Sequence, residues 1–140
     1  MSLLKSQHLM SLDIDLHPFI ELGTTPAGER RIFPVSGGRF VGERLQGIVS
    51  PYAGSDLLLK RSDGSREQDV RLLLLTEDGA QILMTYRGRA HLEHGPLYLR
   101  TVPLFETASE QYGWLNRIAS VGVGERRTEN SVHYEIYEIL

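Results

Sequence analysis

Alternation of apolar and polar residues is the feature that most limits what this 140-residue chain can form. Leu12, Ile14 and Leu16 alternate with polar residues as far as Pro18, and the same period of two returns in later segments. Because successive side chains of a β-strand point to opposite faces, a period of two predicts strands with one buried face. The chain is therefore predicted to be all-β, with nine or ten strands.

Two Asp-Gly pairs, Asp63-Gly64 and Asp78-Gly79, flank the alternating segment 67–76. This dipeptide is favoured in the two-residue type I′ turn, where both central residues need a positive φ. We therefore expect two tight hairpins of this type, which share the strand between them.

Glycines also lie inside the predicted strand 39–49, at Gly42 and Gly47. Glycine weakens a strand, but it permits the sharp coiling that a small closed barrel needs, and closure removes exposed sheet edges. We therefore predict a single antiparallel up-and-down β-barrel over residues 1–140, lipocalin-like in outline. Its other strands are expected at 12–16, 30–35 (ending at Gly37-Gly38), 57–61, 81–90, 97–106, 118–127 and 131–139.

One helical signal interrupts the strands. Thr107 and Glu110 have the spacing of a capping box, in which each residue satisfies a backbone N–H of the first turn. This predicts one short helix near residues 108–117. Trp114 would lie on that helix, either as part of a lid beside the barrel mouth or as a core side chain.

Composition excludes several classes of site and partner. The chain has no cysteine, which removes disulfides and thiolate metal sites and is compatible with the cytoplasm. A net charge of −3 predicts no nucleic-acid binding, which needs clustered lysine and arginine. Polar residues interrupt the apolar ones near the start, and no run approaches about 18 apolar residues, so we expect a soluble cytoplasmic protein with neither a secretory leader nor membrane association.

The segment 91–94, with His91, Glu93 and His94, is the one stretch with the density of a metal site. It lies beside a predicted turn at Gly95-Pro96, where a solvated loop is the other interpretation. We expect the loop, and therefore neither a metal nor a cofactor.

The richest mixture of charged and aromatic residues begins at Tyr98. In an unbroken strand, Tyr98, Arg100 and Glu106 share one face. An arginine fork suits bidentate capture of a carboxylate, enolate or phosphate. We predict that Arg100 and Glu106 line one pocket with Tyr112 and Asn116. The alternative is that Arg100 pairs with a neighbouring acid and joins strands.

Other candidates extend this ligand-binding set. Asp56 lies at a predicted strand start, where it serves either the pocket or a turn, and Arg71 either contacts ligand or forms a surface ion pair with Asp69. Glu106 and Asp56 are the candidate catalytic acid or base. The full predicted lining is Asp56, Arg71, Tyr86, Tyr98, Arg100, Glu106, Tyr112, Trp114 and Asn116.

The chain also carries a set of motifs: 28–31 (GERR) leading to Pro34, 37–42 (GGRFVG), 54–56 (GSD), 61–64 (RSDG), 69–71 (DVR), 78–80 (DGA), 100–107 (RTVPLFET) and 112–116 (YGWLN). Together they make it resemble the bacterial family called domain of unknown function 3237, or uncharacterised protein family 0311, from about Leu12 to Tyr137. The resemblance implies an up-and-down barrel of about eight or more strands and implies no activity. The family usually has tryptophan after the aspartate, where this chain has Leu57.

Three functions fit these residues. The first is binding of a small, partly apolar organic molecule inside the barrel. The second is a cofactor-independent isomerase, cyclase or hydratase, in which Glu106 or Asp56 moves a proton and Arg100 helps to hold an oxyanion. The third is a protein-interaction module with a filled barrel, and a homo-oligomer is also possible. A buried carboxylate beside an arginine and a tyrosine would favour catalysis.

Overall fold

Nine strands and one 3-10 turn are formed by the residues that the structure describes. A computed structural model describes residues 2–92 and 95–140. The elements are β1 (Ser6–Leu16), β2 (Ile20–Thr25), β3 (Gly28–Val41), β4 (Gln46–Lys60), β5 (Arg66–Thr76), β6 (Gln81–His91), β7 (Tyr98–Glu106), the 3-10 turn (Gly113–Arg117), β8 (Ala119–Thr128) and β9 (Ser131–Ile139).

Strand β1 closes the sheet because it pairs with two strands at once. It runs antiparallel to β9 on one side and to β3 on the other. Strands β1 and β3–β9 therefore form a closed eight-stranded antiparallel barrel, and the predicted architecture is confirmed. Among the described strands, β2 pairs only with β3, and it lies outside the barrel. It has no buried face, and the sequence interpretation missed it.

Inward-facing aliphatic side chains fill the middle of the barrel. On β1, Met10, Leu12 and Ile14 are at most 2% exposed and alternate with less buried neighbours. Burying one such side chain stabilises the fold by roughly 1.5–3 kcal/mol. The residues that complete this layer include Phe40, Leu72, Leu74, Ile82, Met84 and Ile136.

Strands β3 and β4 depart from their predicted bounds. Gly37-Gly38 does not end a strand, because β3 continues through it to Val41. Gly38 has a φ of +143°, and a Cβ at this position would collide with the carbonyl oxygen of Asp13 on β1. Glycine therefore permits the close approach of β1 and β3 where the barrel closes. The chain turns instead at residues 42–45, so the predicted strand 39–49 is wrong, and Asp56 lies inside β4 rather than at a strand start.

Both predicted hairpins are confirmed, but their turn type differs. Only the glycines adopt a positive φ, +87° at Gly64 and +93° at Gly79, and neither Asp63 nor Asp78 does. The N–H of each glycine donates to the carbonyl oxygen three residues earlier, at 3.0 and 3.1 Å. This is the pattern of a type I turn followed by a left-handed glycine, so the prediction of type I′ turns is wrong.

The segment 107–118 contains a five-residue 3-10 turn rather than the helix predicted near 108–117. Asn116 replaces the expected capping box. Its Oδ1 accepts a hydrogen bond from the N–H of Thr107 at 2.7 Å, and its Nδ2 donates to the Thr107 carbonyl at 2.9 Å. Thr107 also donates its hydroxyl to the carbonyl of Gln81 at 2.7 Å, which ties the segment to the start of β6.

Candidate functional site

The segment 107–118 covers one end of the barrel, which we call the closed end. Leu115 is fully buried there, and Tyr112 is 6% exposed. The Tyr112 hydroxyl lies 2.8 and 3.0 Å from the two carboxylate oxygens of Asp78. The guanidinium of Arg44 lies 3.8 Å from the centre of the Trp114 ring. These contacts hold the segment in place as a plug.

Three predicted site residues belong to this plug: Tyr112, Trp114 and Asn116 make the structural contacts given above. Glu106 ends β7 beside them, with its side chain on the exposed face of the strand. The closed end therefore gathers part of the predicted set, but in contacts with Asp78, Arg44 and Thr107 that hold the plug rather than around a cavity inside the barrel.

Other predicted site residues lie on the outer face of the barrel. On β7 the inward-facing residues are Leu99, Thr101, Pro103 and Phe105, so Tyr98, Arg100 and Glu106 face outward. Arg100 donates to the carbonyl oxygen of Leu99 at 2.9 Å, and its guanidinium lies 4.6 Å from the centre of the Tyr98 ring. Arg71 is exposed on β5. The expected pocket is thus not formed, because Arg100 lies outside the wall while Tyr112 is buried at the closed end.

The opposite end, which we call the open end, contains a cavity of about 60 Å³. Asp56 of β4, Gln68 of β5 and Tyr134 of β9 contribute its inner polar groups, and Arg66 and Arg126 stand at its rim. The rest of its wall is apolar and consists of Leu16, Phe33, Leu58, Ala90, Leu97, Leu99 and Val132. The cavity volume is well below the roughly 300 Å³ or more of a typical ligand pocket, so the lining suits one end of a small ligand, an apolar edge with one or two polar groups.

The carboxyl group of Asp56 is the most perturbed acid of this cavity. Its Oδ1 is enclosed and has no hydrogen-bond partner among the described residues. Burial raises the pKa of Asp56 to about 7, although the positive charge of Arg126 lowers it and the negative charge of Asp69 raises it further. The desolvated carboxylate is disfavoured because it loses its hydration without gaining a donor. Asp56 therefore exists in both protonation states near neutral pH.

Two tyrosines lie beside Asp56 inside the barrel. The rings of Tyr86 and Tyr134 meet edge to face, with centroids 5.4 Å apart. Burial raises the pKa of both phenols, and the nearby Asp56 charge raises it further. Both hydroxyls therefore stay protonated and can act as hydrogen-bond donors. Tyr86 was predicted to line the site, whereas Tyr134 was missed.

Three glycines make room for polar side chains in this part of the barrel. A Cβ at Gly124 would lie 2.5 Å from the Tyr134 ring, and a Cβ at Gly88 would lie 3.2 Å from the Gln68 Oε1. A Cβ at Gly122 would collide with the Thr101 hydroxyl. The Oε1 of Gln68 and the Oγ1 of Thr101 are enclosed without a partner in the described part of the chain. Inward glycines beside inward polar residues were the sequence signal for these buried polar groups.

The segment 91–94, which has the residue density of a metal site, falls partly outside the described residues, since Glu93 and His94 are not among them. The ring of His91 stacks on Tyr98, with centroids 4.8 Å apart. Within residues 2–92 and 95–140, no group of three or more His, Asp or Glu side chains is arranged to hold a metal ion. Nor do those residues form a helix long and apolar enough to cross a membrane.

Sequence comparison places this barrel among known proteins. Residues 4–139 match the family described as "Protein of unknown function (DUF3237)". The chain belongs to this family. A UPF0311 protein of Rhodopseudomonas palustris (strain TIE-1) is 26% identical over 154 residues, covering 98% of this chain and 97% of the relative. The crystal structure of a β-barrel-like protein from Acinetobacter baumannii AYE is 32% identical, with a TM-score of 0.91 over 100% of this chain and 98% of that one.

A fungal relative in the same comparisons bears the name of an enzyme. The hydroalkoxylation enzyme phnH of Penicillium herquei is 29% identical over 116 residues, covering 83% of this chain and 71% of that protein. The crystal structure of an enzyme from the same fungus is 25% identical, with a TM-score of 0.78 over 100% of this chain and 97% of that one. Thus the similarity of this DUF3237 chain extends beyond proteins of unknown function to one named for a reaction.

Proposed function

We propose that this protein binds a small, partly apolar organic molecule at the open end and catalyses proton transfer on it without a cofactor. Asp56 is the group that moves the proton. The observation that carries the proposal is its enclosed Oδ1, which lies at an apolar cavity and has no partner among the described residues. A buried acceptor without a partner is costly, and a bound molecule would supply the missing hydrogen bond.

The pKa of Asp56 suits this role. A general acid–base catalyst works best when its pKa lies near the operating pH, because it must both accept and release a proton. Burial raises the pKa of Asp56 to about 7, which meets that condition. The ordinary value of 3.8 would leave almost no protonated acid at neutral pH.

Tyr134 and Arg126 supply positive electrostatic potential at the same cavity. The Tyr134 phenol is held protonated by burial, so it can donate a hydrogen bond to an oxygen on which negative charge develops. Arg126 is oriented at the rim by donating to the carbonyl oxygens of Thr128 and Glu129, at 3.2 and 2.6 Å. Together with Asp56 they form a base, a donor and a cation around one space.

The reaction type we infer is addition of a hydroxyl group across a carbon–carbon double bond, which is what the name of the fungal relative describes for that protein. We further infer that a conjugated carbonyl activates the double bond in the substrate of this chain. Asp56 removes the hydroxyl proton as the oxygen–carbon bond forms. The electron pair of the double bond moves onto the conjugated carbonyl oxygen, where Tyr134 donates to the enolate. Asp56 then returns the proton to the α-carbon, so the product is an isomer of the substrate when the addition is intramolecular.

Deuterium incorporation tests this proposal without knowledge of the natural substrate. The protein is incubated in D₂O with a panel of hydroxyl-bearing α,β-unsaturated ketones, and deuterium bound to carbon is measured by mass spectrometry. We expect incorporation with the unaltered protein and a loss of about 10²-fold or more in Asp56→Asn. Glu106→Gln, on the outer face, is the matched control and should retain the rate. Equal rates in both variants would contradict the role of Asp56.

A simple binding protein is the second candidate, and the apolar wall of the cavity favours it equally. It predicts that a ligand protects the barrel against unfolding while no compound of the panel gains deuterium. The two candidates thus differ in the same experiment.

A further inference from the structure

Gln68 is an unexpected side chain for its position. It points inward on β5 in series with Val70, Leu72 and Leu74, and it is only 6% exposed. Its Oε1 is enclosed and has no hydrogen-bond partner among the described residues. Such an oxygen loses its hydration on folding and gains nothing in return, so an aliphatic residue would stabilise the barrel more.

Gln68 of β5 and Asp56 of β4 lie on neighbouring strands and line the same cavity. In the register of β4 and β5, Asp56 pairs with Val70 and Leu58 pairs with Gln68, which makes Asp56 and Gln68 diagonal neighbours. Diagonal neighbours on one face of a sheet are about 7–8 Å apart, a distance that one small polar group between their side chains can span.

Gly88 of β6 pairs with Gln68 of β5 and lies on the same inward face of the sheet. A Cβ there would lie 3.2 Å from the Gln68 Oε1 and 2.6 Å from the Thr101 side chain. A larger residue would therefore fill the space beside the Oε1. The glycine leaves room beside that oxygen on the inner face of the barrel.

We propose that Gln68 and Asp56 together recognise a hydroxyl group, so that the substrate is an apolar molecule bearing a phenol, enol or alcohol. This inference rests on the proposed function and names its substrate class. The oxygens of an ionised carboxylate and of an amide carbonyl only accept hydrogen bonds, so the group between them must donate. A hydroxyl donates to Gln68 while it accepts from protonated Asp56, and it donates to Asp56 once that residue is ionised. An ether or ketone of the same shape has no proton to donate, so it can accept from protonated Asp56 or from the Gln68 Nε2 but leaves the Gln68 Oε1 without a hydrogen bond.

Phenol and anisole form the matched probe pair, because they differ by a methyl group that removes the donor. Binding of each is measured by calorimetry or NMR titration to the unaltered protein and to Gln68→Met, which keeps the length of the side chain. We expect the unaltered protein to prefer phenol by about three- to tenfold and the variant to lose that preference. Its melting temperature should stay equal or rise, because the unpaired oxygen is gone.

A retained preference for phenol in Gln68→Met overturns the inference, as does the absence of any preference in the unaltered protein. A second measurement uses the unaltered protein and so does not depend on folding of the variant. The side-chain carbonyl ¹³C resonance of Gln68 should shift with phenol and not with anisole. Equal responses to both probes overturn the inference too. Failure of the proposed function is seen separately. If the phenol preference depends on Gln68 but Asp56→Asn leaves deuterium incorporation unchanged, hydroxyl recognition stands and the catalytic role of Asp56 falls.

Discussion

The ring of Tyr134 meets the ring of Tyr86 edge to face, with an interplanar angle of 65°. Only Tyr134 of the pair lines the open-end cavity with Asp56. The hydroxyl of Tyr134 can therefore reach a bound molecule, whereas Tyr86 supports the ring of Tyr134. Packing of this kind holds the ring of Tyr134 in place.

The two phenols should differ in their effect on turnover. Tyr134→Phe removes the donor to the developing enolate, and we expect the rate of deuterium incorporation to fall about 100-fold. Tyr86→Phe is the matched control and should keep most of the rate, since it preserves the edge-to-face packing. Rates are measured at saturating substrate. Equal losses in both variants would show that the hydroxyl of Tyr134 has no special role.

Asp56 should make the barrel less stable as the pH rises. Its pKa is about 7 in the folded state and 3.8 ordinarily, so between those values the unfolded chain releases a proton that the folded chain keeps. The contribution of Asp56 to the free energy of unfolding is complete below pH 3.8. It is lost as the pH rises to about 7, at up to about 1.4 kcal/mol per pH unit. Relative to Asp56→Asn, the free energy of unfolding should fall from pH 4 to 7 and then level off. A constant difference between the two proteins would contradict the raised pKa.

A charged cluster on the outer face of β1 and β9 should have its own pH dependence. His133 Nδ1 lies 2.7 Å from Asp13 and its Nε2 contacts Glu135. Partial burial lowers the pKa of His133, but the hydrogen bonds to Asp13 and Glu135 outweigh it, and the pKa rises above 6.5. The stabilisation of the fold by protonated His133 is complete below pH 6.5 and is lost as the pH rises through the pKa of His133 in the folded state.

The check is the free energy of unfolding of the unaltered protein relative to His133→Asn. The advantage of the histidine should shrink when the pH is raised from 6 to above the folded pKa. An advantage that grows over that range would contradict the account. Glu135, whose pKa is lowered to about 2 because hydrogen bonds from Ser11, His133 and His8 outweigh its desolvation, stays ionised throughout.

Changes at the closed end should affect stability and leave the open end intact. Tyr112→Phe removes both contacts with Asp78, and we expect a lower melting temperature. Phenol affinity should remain within about twofold, since distant sites act independently. Arg100→Met, on the outer face, is expected to leave the affinity equally unchanged. A large loss of affinity in either variant would return the binding site to the segment 98–116.

The architecture could be predicted because alternation and turn residues are local signals. Asp63-Gly64 and Asp78-Gly79 mark hairpins whatever the turn type, and the inward parity of Leu72 and Leu74 is clear from the sequence. The bounds near Gly37-Gly38 were wrong because the close approach of β1, which needs Gly38, involves residues more than 20 positions earlier.

The site was predicted less well, since it depends on which face of each strand is buried. The sequence places Asp56 and Tyr86 among the candidates, and both lie inside the barrel near its open end. Arg100 drew attention through its charge, but its inward neighbours Leu99 and Thr101 put it outside. Gln68 and Tyr134 were missed because the inward neighbours of each along its strand are apolar, and because the other residues of the cavity come from distant strands.

A ¹³C NMR titration of the Asp56 carboxyl carbon tests the central claim most directly. The resonance is assigned with Asp56→Asn and followed from pH 3 to 9, with and without phenol. We predict a midpoint near 7, as burial requires, and a change in that midpoint when phenol is bound. A midpoint near 4 that is indifferent to phenol would mean that the carboxylate is solvated and that the open end is not the site.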